Sequence, residues 1–159
     1  MSREETLLGL LTAYGGALRR IARTYAGARG EEEDLHQEIL LQLWRGLASF
    51  RGDSAPGTWL YRVALNTALT WRRRAGRDAR ADSAAGRLPG ETAGAPRSEA
   101  AILDELLASL GPMDRSVLLL YLEGLSYQEI GAVTGLSASA VGVRVHRIKR
   151  YYEDRYLKG

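Results

Sequence analysis

Residues 126–150 constrain the fold more than any other stretch. Ser126-Tyr127-Gln128-Glu129 sets a serine three residues ahead of a glutamate. That is a capping box, in which each side chain satisfies an orphan backbone N–H at the start of a helix. The short helix it opens carries Ile130 and Val133. Gly135 suits a left-handed turn, Leu136 can plug the corner, and Ser137 can cap a further helix with Val141, Val145 and Ile148 on one side. A short capped helix, a glycine turn and a longer basic helix make a helix-turn-helix.

The rest of the chain agrees with a helical fold. Leu7, Leu11, Tyr14, Leu18, Ile21 and Tyr25 form one apolar stripe over residues 5–27, with Gly15-Gly16 weakening its middle. A second helix is expected over 31–48. Glu31, Glu32, Glu33 and Asp34 lie in its first turn, where the helix dipole favours negative charge, and Leu35, Ile39, Leu40, Leu43, Trp44 and Leu47 form its buried face. Residues 51–57 have loop chemistry, and Thr58 is the expected N-cap of a third helix ending near Arg74. From residue 75 to 97 no apolar period survives, and this stretch reads as a flexible linker. Helices over 98–110 and 112–123 follow, separated by Gly111-Pro112. No strand pattern occurs. The expectation is an all-α protein of two small helical domains, 1–74 and 98–159, joined by the linker, the second a helix-turn-helix.

Charge and composition narrow the function. Hydrophobic residues make up 45% and charged residues 26%, enough for a packed core. No cysteine is present, which excludes disulfides, thiolate zinc sites and cysteine nucleophiles. The acidic start, with Glu4 and Glu5, is unlike a signal peptide, and no apolar run approaches the roughly 20 residues of a membrane span. A cytoplasmic protein without stable membrane insertion is expected. Net charge is only +3, but residues 51–98 hold nine basic against four acidic residues. A second basic cluster, Arg144, Arg147, Lys149 and Arg150, lies in a near-neutral third. Local basic patches point to a polyanion. His36 and His146 are the only histidines, and no HExxH, nucleophile–base arrangement or Gly-rich phosphate loop occurs. The acidic run at 31–38 lacks a second ligand cluster. We expect no enzyme, no metal and no cofactor.

In helix-turn-helix units the first turns of the second helix enter the major groove. With its apolar side packed inward, that helix leaves Ser139, Val143, Arg144, His146, Arg147 and Arg150 for duplex DNA. Arginine can bond guanine edges bidentately or hold phosphates. The competing reading is a helical hairpin with a solvated basic face. In the first domain Trp44, Phe50, Trp59, Tyr61 and Trp71 cluster around the loop and third helix, among Arg62, Arg72, Arg73 and Arg74. Aromatic faces beside arginines suit unpaired bases. Equally, these rings can be core and the arginines a solvated helix end; Trp44 belongs to the apolar stripe.

Two sets of motifs carry a resemblance. The first is Glu33-Asp34-Leu35-His36-Gln37-Glu38 with Leu43-Trp44-Arg45, then Phe50-Arg51-Gly52 and residues 58–66 from Thr58 to Asn66. It is similar to the second conserved region of bacterial RNA polymerase sigma factors of the extracytoplasmic-function (ECF) type. The second is Leu110 and Asp114-Arg115, then residues 124–130 from Gly124 to Ile130, then the helix from Val141 to Arg150. It resembles that family's fourth conserved region. Together they cover most of the chain outside the linker, and the resemblance implies a member without the extra regions of housekeeping sigma factors.

The resemblance implies a division of labour. Asp34, Gln37, Glu38, Gln42 and Arg45 would dock on the clamp helices of the largest subunit of core RNA polymerase. Phe50, Arg51, Ser54, Trp59, Tyr61, Arg62, Asn66, Arg72 and Arg73 would capture the single-stranded minus-ten element. The helix-turn-helix would read the duplex minus-thirty-five element, with the polymerase flap as a further partner. An anti-sigma protein is a further implied partner. One departure stands out: many members carry Lys or Arg where this chain has Gly142. The alternative function is a stand-alone helix-turn-helix transcriptional regulator.

Overall fold

The computed structural model describes residues 2–27, 30–82 and 98–158. Among these residues every regular element is helical. α1 spans Arg3–Ala26, capped by Ser2, and runs unbroken through Gly15 and Gly16. α2 spans Glu32–Leu47 and α3 spans Pro56–Asp82. α4 (Glu99–Ser109) is capped by Ser98, and α5 (Pro112–Leu122) begins on Pro112. α6 (Tyr127–Thr134) and α7 (Ala138–Tyr152) complete the chain, and a π-helical turn over Glu153–Leu157 ends it.

α1, α2 and α3 pack on one another as a three-helix group. Leu18, Ile21, Leu35, Ile39, Leu43, Leu60 and Ala64 fill its centre. The second group packs α5, α6 and α7 around Val117, Leu120, Ile130, Val141, Val145 and Ile148, with α4 laid against α5 and α1. Burying each of these leucine, isoleucine and valine side chains stabilises by roughly 1.5–3 kcal/mol.

The two groups are in contact, and their buried residues form one apolar cluster. Tyr25, at the end of α1, is fully buried at that junction. Its hydroxyl lies 2.6 Å from Ser116 Oγ on α5. Burial pushes its phenol pKa up. Arg115, also buried, donates to the carbonyls of Leu107 and Leu110 at 2.8 Å each. It thereby closes the C-terminal end of α4, where the helix dipole favours a cation. Its guanidinium also stands 5.4 Å from the Tyr25 ring centroid.

Three expectations need correction. α3 begins at Pro56, so Thr58 lies inside the helix instead of capping it. Proline serves as a helix start because its missing N–H would be unpaired there anyway. α3 also continues past Arg74 to Asp82, because a run rich in Arg and Ala favours helix even without an apolar stripe. Trp44 is only half-buried: the Arg3 guanidinium stacks on it at 4.0 Å, outside the core. The remainder of the expected linker, 83–97, lies outside the described residues.

Candidate nucleic-acid interface

The C-terminal helix pair is built as its residues require. Ser126 accepts from the Glu129 backbone N–H at 3.1 Å, and the Glu129 carboxylate accepts from the Ser126 N–H at 2.8 Å. Those bonds hold the Glu129 carboxyl below its usual range. Gly135 closes α6 in the left-handed conformation at φ 86°. Ser137 caps α7 by accepting from the Ala140 N–H at 3.1 Å. A residue the sequence reading passed over is Gly131. A Cβ there would stand 2.5 Å from the Leu136 carbonyl oxygen, so the turn closes directly on the α6 backbone.

α7 turns Val141, Val145 and Ile148 inward and leaves Ser139, Val143, His146, Arg147 and Arg150 exposed. Val143 is 63% exposed. Arg144 is half-buried: its Nη1 donates to Asp114 Oδ1 on α5 at 2.7 Å. Arg147 reaches the same carboxylate at 3.4 Å. Gly142 also gains a physical reason. A Cβ at this position would lie 3.2 Å from Tyr127 Cε2, and glycine lets that ring rest on α7.

The first helical group offers two surfaces. On α2, Asp34, Gln37 and Arg45 are exposed and Glu38 and Gln42 half-buried. Their spacing of three and four places them along one face. Gln42 donates to Glu38 at 2.9 Å. That face borders a groove of about 310 Å³ shared with α3, lined by Glu38, Gln42, Asn66, Thr70, Trp71 and Arg74. The groove thus joins the α2 candidates to Asn66.

The second surface is aromatic. Phe50 and Trp59 stack with centroids 4.9 Å apart, beside exposed Arg51 and half-buried Ser54. Gly46 makes this possible, because a Cβ there would fall 2.9 Å from the Trp59 ring. A glycine inside a helix without a turn role was the available signal. Asn66, Arg72 and Arg73 are exposed along α3.

Two expected strand contacts stand differently. Tyr61 is 5% exposed and packs edge-on against Tyr14 at 5.8 Å, so its ring belongs to the core. Burial, with the nearby Glu123 carboxylate, pushes its phenol up to about 12. Arg62 is exposed, but its Nε and Nη2 donate to the Ala132 carbonyl on α6 at 2.9 and 2.6 Å. Beside it, Arg20 Nε donates to both Glu123 carboxylate oxygens at 3.0 and 2.8 Å, and Arg23 pairs with Asp104 at 2.9 Å. The arginine expected to meet DNA is therefore held at the junction with the helix-turn-helix.

His36 is buried in α2, and its Nδ1 has no hydrogen-bond partner. Among the described residues no three His, Asp or Glu side chains converge as metal ligands, and no helix is long and apolar enough to cross a membrane.

The fold is that of a two-part, all-helical protein with a basic helix-turn-helix. Residues 10–78 match the family model of sigma-70 region 2, and residues 100–151 match that of sigma-70 region 4. The chain is 33% identical to the ECF RNA polymerase sigma-E factor of Escherichia coli, with 79% of this chain and 74% of that protein covered. It is 32% identical to the ECF RNA polymerase sigma factor SigE of Mycolicibacterium smegmatis. That match covers 94% of this chain and 61% of the relative's length. Among solved structures, the sigma factor RpoE of Bartonella quintana, in complex with the anti-sigma factor NepR, superposes with a TM-score of 0.70 at 24% identity. The superposition covers 95% of this chain and 94% of that one, and supports the fold. The chain belongs to the ECF sigma factor family, a class of transcription-initiation factors.

Proposed function

We propose that this protein binds core RNA polymerase in the cytoplasm and directs initiation at promoters with two recognised elements, without performing bond chemistry itself. One observation carries the reading: a single chain presents, in family order, a polar α2 face and a basic α7 face on two helical groups. The α2 face of Asp34, Gln37, Glu38, Gln42 and Arg45 takes the clamp helices of the polymerase. The Phe50–Trp59 stack, with Arg51, Ser54, Asn66, Arg72 and Arg73, captures the melted minus-ten strand. Stacking contributes about 1–3 kcal/mol per base, which offsets the few kcal/mol that unstacking costs. α7 reads the duplex minus-thirty-five element through Arg144 and Arg147, and the second helical group takes the polymerase flap.

Arg62 cannot donate to Ala132 and to a DNA strand with the same N–H groups. On this reading the compact arrangement opens at that contact before the minus-ten strand is bound. An anti-sigma protein is the proposed regulatory partner, supported by the complex in which RpoE is seen. The test is core binding. Asp34→Ala should weaken affinity for core polymerase by about fivefold or more while leaving the helical fold intact, its stability lowered by no more than the roughly 0.3–1 kcal/mol of a first-turn acid. Unchanged affinity would remove Asp34 from the docking face.

A further inference from the structure

One carboxylate stands behind both arginines of the reading helix. Asp114 occupies the third position of α5, where the helix dipole favours an acid. Its backbone is pinned on the C-terminal side, because Arg115 is buried and bonded to the end of α4. α5 in turn packs on α7 through the common core. The carboxylate is therefore a fixed point. Arg144 Nη1 meets its Oδ1 at 2.7 Å, and Arg147 Nη2 lies 3.4 and 3.5 Å from its two oxygens. The arginines are three residues apart on one face, so without the acid their like charges would repel. Each guanidinium has five N–H donors, and these contacts leave most of them free to face outward.

We infer that Asp114 is a positioning residue that sets the sequence selectivity of α7, an inference resting on the promoter reading above. Tethered arginines present their forks in one orientation, as bidentate base contact requires. Untethered arginines swing to whichever phosphate is near, which raises affinity for any duplex and erases discrimination. The carboxylate opposes that indiscriminate capture.

The experiment uses the full chain assembled with sigma-free bacterial core polymerase and a pool of duplexes randomised upstream of the melted region. Selection with the natural protein should enrich a defined upstream motif. Asp114→Asn should flatten that motif and lower the matched-to-random affinity ratio by roughly fivefold or more, the low end of one bidentate base contact. Random-duplex binding should become more salt-sensitive, by up to about 0.9 in the log–log slope for each released arginine. Asp114→Glu keeps the charge but moves it outward, and should shift the preferred motif at unchanged melting temperature. That variant decides the matter if Asp114→Asn fails to fold. A natural protein that enriches no upstream motif overturns the promoter reading and this inference together. A motif of equal identity and sharpness in the natural protein and the folded variants overturns the inference alone.

Discussion

Single side chains in this protein divide between holding the fold and facing outward, and three of them show how the division is made. His36 is inside: burial first, then the Arg19 charge, lowers its pKa from the ordinary 6.5. A histidine whose folded pKa is depressed stays neutral in the native state while the unfolded chain takes up a proton. Stability is therefore undiminished above about pH 6.5 and falls as pH drops from there toward the folded value. Denaturant midpoints should decline between pH 7.5 and 5.5, and His36→Leu should flatten that decline; an equal slope in the variant would contradict the assignment. Tyr61 is inside too, although its place among arginines and aromatic residues suggested a base-stacking surface. Arg144 lies between these extremes. Replacing it by alanine should reduce use of the upstream promoter element by about 1–3 kcal/mol, measured as relative initiation on matched and scrambled upstream sequences. Equal initiation on both would remove it from the reading face.

At the scale of helices, legibility followed local chemistry. The capping box at Ser126, the cap at Ser137 and the turn at Gly135 were readable because each depends on residues a few positions apart. The start and end of α3 were not. Pro56 competes with a run of loop-forming neighbours, and the stretch after Arg74 has no apolar face to reveal a solvated helix. Contacts made through space were also hidden. Gly46 beneath Trp59 and Gly142 beneath Tyr127 look like flaws in their helices until the opposing ring is placed. Tyr127 is 40% exposed and can tilt away from a new methyl group. Gly142→Ala should therefore raise stability by up to about 1 kcal/mol, the difference in helix propensity between the two residues. A lowered melting temperature would mean the Tyr127 contact matters more than the helix backbone.

For the whole molecule the decisive feature is the contact between its two helical groups. Tyr25 and Ser116 form its buried part, and Arg20–Glu123, Arg23–Asp104 and Arg62–Ala132 surround them. No sequence pattern reveals such pairs, because the partners stand 70 to 103 residues apart. On the proposed reading, minus-ten and minus-thirty-five elements lie about 25 base pairs apart, or about 85 Å along the duplex. Two touching groups cannot span that distance, so the contact must be separable. Arg20→Glu should enlarge the radius of gyration in small-angle scattering, and adding Glu123→Arg should restore compactness. A radius unchanged by the single reversal would show that the apolar junction alone holds the groups together. On the proposed reading this chain supplies promoter specificity to a polymerase that lacks it. In vitro transcription with sigma-free bacterial core polymerase on a genomic fragment library tests it most directly. Transcripts should start at discrete positions that share two upstream sequence elements, and only when this protein is present; no binding to core and no specific start sites would overturn the reading.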